Sequence, residues 1–282
     1  MLAAVYTGHQ RVEVQEVPTP TIGPGELLVR VEACGICHTD LKKIEYDLLA
    51  GPRIYGHETA GVVVQAGTGV TRFAPGDAVV AFHHIPCSQC FYCQRKLYAQ
   101  CAVYKRVGIT AGFEPAGGGF AQYVRIMDWI VARGVEKIPA GVSFAAASLI
   151  EPLNTCLKAV VQAAPRPGDV VVVMGQGPIG LKFTMLLKNA GAYVIVTDLS
   201  AARRALALEL GADEAYDPTR GRFGRSHPAA FARAGSRYGL CGRPGTRNRR
   251  TSGSSDAARG PHRPLRSDFR EGTNRVGRCG HL

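Results

Sequence analysis

The sequence predicts an α/β chain in two parts, a β-rich first half followed by the opening of a doubly wound parallel sheet. Two observations carry that prediction. Short apolar segments such as 27–33 alternate with Gly-Pro turns (Gly23-Pro24-Gly25, Ala74-Pro75-Gly76-Asp77) through the first half. Strand–helix alternation begins only near residue 168. A third observation limits how far the prediction extends. Residues 1–217 balance 19 Lys and Arg against 19 Asp and Glu, whereas 218–282 hold 15 Arg, no Lys and three acids, Asp256, Asp268 and Glu271. The whole net charge of +12 therefore lies beyond residue 217.

The first chemical signal along the chain is Cys34-Gly35-Ile36-Cys37-His38-Thr39-Asp40, answered by Gly56-His57-Glu58-Thr59-Ala60-Gly61. Cysteine, histidine and glutamate all bind zinc, and three protein ligands with a position left for water make a catalytic site. A lone Cys or His is more often core than ligand, which is the reading given to Cys34 and Cys156. Next come Cys87, Cys90, Cys93 and Cys101. Four thiolates so closely spaced can close a tetrahedral zinc site with no open position, a structural site. Two disulfides are the alternative. The chain opens with no charged segment followed by an apolar core and a small-residue cleavage site, so nothing points to an oxidising compartment, and a reducing cytoplasm is the expected setting.

In the second half, 170–174 (Val-Val-Val-Val-Met) is a continuous apolar run, typical of a strand buried on both faces. Gly175-Gln176-Gly177-Pro178-Ile179-Gly180 follows directly, then a helix-like stretch to Ala190. Placed between strand and helix, this glycine pattern offers backbone N–H groups and a helix N-terminus to a pyrophosphate. Pro178 suits a first helical turn, where its missing N–H is not needed. A second strand, 193–197, ends in Asp198, about 20 residues beyond the glycines, where an acid binds a ribose 2′-OH and repels a 2′-phosphate. NAD is thereby favoured over NADP.

Taken together, these motifs resemble the zinc-dependent medium-chain alcohol dehydrogenases, from residue 1 to about residue 217. The cysteine spacing resembles the structural-zinc lobe of that family, with Lys96 where the family often has glycine, so a slightly strained turn is expected. The segment from Gly56 to Val70 is similar to the family's zinc signature. The resemblance implies a GroES-like catalytic domain over 1–150 and the N-terminal part of a Rossmann domain over 151–217. It implies two Zn2+ per chain, one catalytic and one structural. Cys37 and His57 become ligands of the catalytic zinc, and Glu58 a ligand or close neighbour. Glu151 is the fourth candidate, since Glu151-Pro152 looks like the sorbitol and threonine dehydrogenase branch, although a Glu before Pro also simply opens a helix. Thr39 matches the hydroxyl that passes the proton outward, and Lys42 stands where the family's distal relay histidine would fall. Asp40 resembles the carboxylate that orients the zinc-bound histidine. His38 would touch the cofactor pyrophosphate, and Arg203 would lie near the adenosine ribose. Zinc is a Lewis acid that lowers the pKa of bound water to about 7, the polarisation an alcohol oxidation needs. The expected activity is hydride transfer from a secondary alcohol or polyol to NAD. Intact members are expected to be homo-oligomers.

The segment 218–282 has only seven residues drawn from Leu, Ile, Val, Met and Phe, too few to bury a core, and is expected to be disordered. Patternless Arg, Gly, Pro, Ser and Ala are what a high-GC gene gives when read out of frame. Dropping one base from the codons of Ala234 onward permits Gly-x-Asp-Met-Val-Phe-Val-Ala-Val, an apolar strand of the kind the family carries next. The expectation is therefore a frameshift between about residue 217 and residue 234, a sheet that stops after about three strands, and an inactive chain. Two rival readings belong to other classes: a non-catalytic zinc-stabilised module, and a nucleic-acid binder using the arginines of 218–282. The second is disfavoured because the segment lacks Lys and repeats. No stretch of about 20 apolar residues exists, so no membrane span is expected.

Overall fold

The computed structural model describes residues 1–220 and 239–241. The chain divides into two compact units, Met1–Thr155 and a second beginning at Cys156.

In the first unit, β1 (Leu2–Gly8) and β2 (Arg11–Glu16) form an antiparallel pair. A larger sheet takes β3 (Leu27–Gly35), β4 (Glu58–Ala66), β5 (Ala78–Ala81), β6 (Ile109–Thr110), β7 (Tyr123–Ile126) and β8 (Val135–Lys137) in the order β6-β7-β3-β4-β5-β8, antiparallel throughout. Each strand begins where the turn chemistry stops. The 74–77 turn, for example, is closed by Ala74 N–H donating to Asp77 Oδ2 at 2.8 Å, one residue before β5. Two helices interrupt the sheet, α1 (His38–Glu45) and α2 (Phe91–Gln94), and a third, α3 (Asp128–Arg133), covers its core. Alternation supplies that core: Leu27 and Val29, Val63, Val79, Val124 and Ile126 meet Ile130 and Val131 of α3, all buried.

The β3–β4 pair positions the chemistry. Its register sets Gly35 opposite Glu58. The chain leaving β3 and the chain entering β4 therefore lie side by side, and Cys37 and His57 fall at the same edge. Helix α4 (Phe144–Ser148) and the first residues of α5 (Ile150–Ala163), through Thr155, end the unit, with Glu151 and Pro152 in the first turn of α5.

In the second unit, β9 (Val170–Met174), α6 (Pro178–Asn189), β10 (Tyr193–Thr197), α7 (Ala201–Glu209) and β11 (Glu214–Tyr216) alternate as expected. Two expectations need correction. The sheet does not stop at three strands: β12 (Gly239–Cys241) pairs in parallel with β9, giving the order β11-β10-β9-β12. Three residues suffice because ladder hydrogen bonds come from the backbone, whatever the composition around them. Nor is β9 buried on both faces. Val171 and Val173 are buried, Val170 and Val172 are half-buried and Met174 is exposed, whereas β10 buries Val194, Ile195 and Val196 in succession. The cover over β9 comes from one side more than the other among the described residues. The expected disorder over 218–282 lies outside the described residues, apart from 218–220 and 239–241. No helix among the described residues is long and apolar enough to cross a membrane.

Candidate metal centres and nucleotide loop

Cys37 is the N-cap of α1. Its Sγ accepts from Thr39 N–H at 3.4 Å, and the Asp40 carboxylate accepts from Cys37 N–H at 3.3 Å, a reciprocal cap. Asp40 is fully buried, and its second oxygen lies 3.2 Å from His57 Nδ1. One carboxylate thus closes the helix start and fixes the imidazole ring, leaving the other ring nitrogen for Cys37. The hydrogen bond with His57 draws the Cys37 thiol below its ordinary pKa; burial opposes this and Thr39 N–H assists it. Burial pulls His57 down, but its hydrogen bonds to Asp40 and Cys37 outweigh that and raise it to about 10.

Glu58 completes the group: ligand atoms of Cys37, His57 and Glu58 all lie within 4.8 Å of one another. Its carboxylate folds over Gly35, where an added Cβ would sit 2.0 Å from Glu58 Oε2, so the close approach requires glycine there. A sulfur held toward thiolate, a ring nitrogen oriented from behind and a carboxylate oxygen are a donor set that suits zinc.

Glu151 stands outside this group. Its Oε1 lies 4.0 Å from His83 Nδ1. Burial raises its carboxyl pKa; the His57 charge opposes this, and those of Glu58 and Asp40 reinforce it, so it faces the same electrostatic neighbourhood. His83 is a residue the sequence reasoning missed. Its ring packs at a tilt against those of His57, centroids 4.7 Å apart, and His84, 3.9 Å apart, and His84 packs likewise against Tyr104 at 4.3 Å. Burial, then the charges of His84, His57 and Lys43, push His83 down to about 2, so the ring is neutral. The only available signal was two adjacent histidines just past an apolar strand. Thr39 and His38 lie exposed on the first turn of α1, and Lys42 follows on its second.

The sulfurs of Cys87, Cys90, Cys93 and Cys101 form a second group within 4.8 Å. All four are free thiols, and Cys87 and Cys93 stand 3.9 Å apart, far beyond a disulfide bond. Backbone N–H groups point at the sulfurs: Cys87 N–H donates to Cys101 Sγ at 3.5 Å and lowers that thiol's pKa. The loop closes through Lys96 at φ +58°, the left-handed conformation expected where a glycine would fit better. Cys156 is core, 1% exposed, as expected.

In the second unit Gly177 is the N-cap of α6 and Pro178 opens its first turn. Gly180 packs so tightly that a Cβ would lie 1.8 Å from Gly175 O, and Ile179 stays exposed beside it. Asp198 lies at the tip of β10, where Oδ2 accepts from Gln176 N–H at 2.7 Å and Oδ1 from Ser200 N–H at 2.8 Å. Arg203 Nη1 is 3.9 Å from the same carboxylate. Gln176, also missed, is fully buried; its amide donates to Val173 O at 3.2 Å and its Oε1 accepts from Thr184 Oγ1 at 3.0 Å, which locks the loop to strand and helix.

Residues 23–139 match the model of the alcohol dehydrogenase GroES-like domain, and residues 178–228 that of the zinc-binding dehydrogenases. The chain is 37% identical over 238 residues to scyllo-inosose 3-dehydrogenase of Thermotoga maritima, covering 76% of this chain and 59% of that protein. It is 39% identical over 212 residues to L-threonine 3-dehydrogenase of Pyrococcus abyssi, covering 73% and 58%. Among solved structures it superposes on alcohol dehydrogenase TADH from Thermus sp. ATN1 with TM-score 0.69 and 30% identity, covering 84% of this chain and 68% of that one. The chain thus spans a little under 60% of the length of these two curated relatives.

Proposed function

This chain belongs to the zinc-dependent medium-chain alcohol dehydrogenases, and from that premise we propose that it is built for hydride transfer from a secondary alcohol or polyol to NAD. The observation that carries the reading is the convergence of Cys37, His57 and Glu58, backed by the buried Asp40. These three residues hold one zinc, with Glu151 as the fourth candidate ligand. Cys87, Cys90, Cys93 and Cys101 hold the other. When bound, zinc supplies Lewis-acid polarisation of the substrate hydroxyl and NAD supplies the hydride acceptor.

The chain's own residues do the rest. Asp40 holds the His57 ring in one orientation, and the Thr39 hydroxyl takes the substrate proton outward, with Lys42 in place of a distal histidine. Backbone N–H groups at Gly177, Ile179 and Gly180, at the start of α6, would meet the pyrophosphate, whereas Gly175 N–H donates to Thr197 O at 2.7 Å and Gly175 serves the turn. Asp198 would accept from the ribose 2′-OH with Arg203 beside it; two of its acceptor sites already serve backbone N–H groups, which keeps the carboxylate aimed. Its negative charge favours NAD over NADP. The substrate is a small molecule, nucleic acid is not a partner, and the thiol-rich centres suit a reducing cytoplasm.

An out-of-frame reading of the region past residue 217 belongs to the same proposal, and with it the absence of turnover in the chain as written. The junction is proposed between about residue 217 and residue 234, a range within which the family match ends, at residue 228. Resequencing codons 210 to 240 tests it: one base restoring the apolar strand supports the reading, and an unaltered sequence removes it.

Elemental analysis of the purified full chain tests the metal assignment. Two zinc ions per chain are expected, falling to one in Cys37→Ala with the four-cysteine site still filled. A well-folded protein holding a single zinc would leave the non-catalytic module as the better description.

A further inference from the structure

We propose that His83 is a positioning residue for the first metal centre, donating its Nδ1–H to Glu151 and so fixing where that carboxylate points. The inference rests on the zinc-centre reading above and adds a residue to it. His83 follows β5, whose pairing with β4 sets Ala81 opposite Thr59, so position 83 lies alongside the segment that carries His57 and Glu58. Its backbone is pinned, because its carbonyl accepts from Gly108 N–H at 2.8 Å and the preceding Phe82 N–H donates to Gly134 O at 2.8 Å. Its ring packs at a tilt against the rings of both His57 and His84. Backbone and ring are therefore both fixed, and the remaining freedom lies with whatever faces Nδ1.

That atom is buried without a hydrogen-bond partner among the described residues, a rare situation for a ring nitrogen. The carboxylate oxygen opposite it is Glu151 Oε1, at 4.0 Å. A movement of roughly 1 Å brings the pair to hydrogen-bonding distance. Glu151 sits in the first turn of α5 with only 18% of its side chain exposed, so a donor N–H opposite its carboxylate is favourable. A neutral imidazole carries one N–H, and a carboxylate opposite Nδ1 selects the tautomer that places it there. The unpartnered ring nitrogen and the largely shielded carboxylate thus suit each other. Glu151, one step outside the group formed by Cys37, His57 and Glu58, then acquires a defined direction.

Cobalt(II) loaded into the full chain in place of zinc gives the test, because its visible absorption reports each thiolate-containing centre and needs no turnover. Two cobalt ions are expected in the native chain. His83→Phe, which keeps a stacking ring but has no N–H, should weaken the non-four-cysteine centre about 10-fold or more in chelator competition and shift its spectrum. Glu151→Gln should weaken it similarly, and the double variant should be no weaker than Glu151→Gln alone. His83→Gln, whose amide can donate in place of the ring, should keep near-native affinity. Native affinity in His83→Phe overturns the proposal, as does loss in His83→Gln or an additive loss in the double variant, which would make His83 act independently of Glu151. A native chain that takes up only one cobalt overturns the zinc-centre reading and this inference with it.

Discussion

The two candidate metal-ligand groups reach the same closeness by opposite routes. The four cysteines come from one 15-residue span, 87–101, so local turns alone assemble them. Cys37, His57 and Glu58 come from two segments 20 residues apart, brought together by the register of β3 against β4. A one-residue slip in that pairing would turn every side chain to the other face and scatter the second group, while leaving the first intact. The four-cysteine lobe is a local structure that a metal can organise, whereas the other centre is a property of the sheet.

The sharpest way to break this comparison is Cys93→Ala. The lobe has few apolar contacts of its own, with Phe91, Tyr92, Leu97 and Tyr98 exposed. Loss of one zinc and a fall in melting temperature of roughly 10 °C or more are expected by calorimetry, with the sheet-built centre still loading. Asp40→Asn attacks the other side. It weakens metal at Cys37, His57 and Glu58 by about 10- to 100-fold in competition titration and leaves the four-cysteine site unchanged. Equal loss at both sites would erase the distinction between them. The smallest effect is Lys96→Gly, which relieves the left-handed turn at φ +58° and should stabilise the chain by about 0.5–1 kcal/mol in denaturant titration.

The same contrast explains what the sequence made legible. The cysteine group, the apolar strands 170–174 and 193–197 and the helix opened by Pro178 follow from short-range pattern, and the structure places them at those residues. Asp40 was assigned its orienting role by family resemblance; nothing in the sequence showed that the same carboxylate caps α1. His83 and Gln176 were missed because no spacing rule marks them. Their roles depend on Glu151 brought in from 68 positions away along the chain, and on Thr184 one helix face onward. β12 was missed for another reason: arginine-rich composition argues against a core, but a parallel edge needs only three residues of extended backbone. Periodicity sees side chains, and this strand is a backbone event.

The double role of Asp40 makes order in the first turn of α1 and orientation of His57 a single equilibrium. Whatever lets that turn open also frees the imidazole, and whatever ligates the imidazole holds the turn shut. The amide protons of 39–41 thereby become a gauge of metal loading that can be followed by isotope exchange without a substrate or a spectroscopic metal. The start of one short helix acts as the latch of the centre.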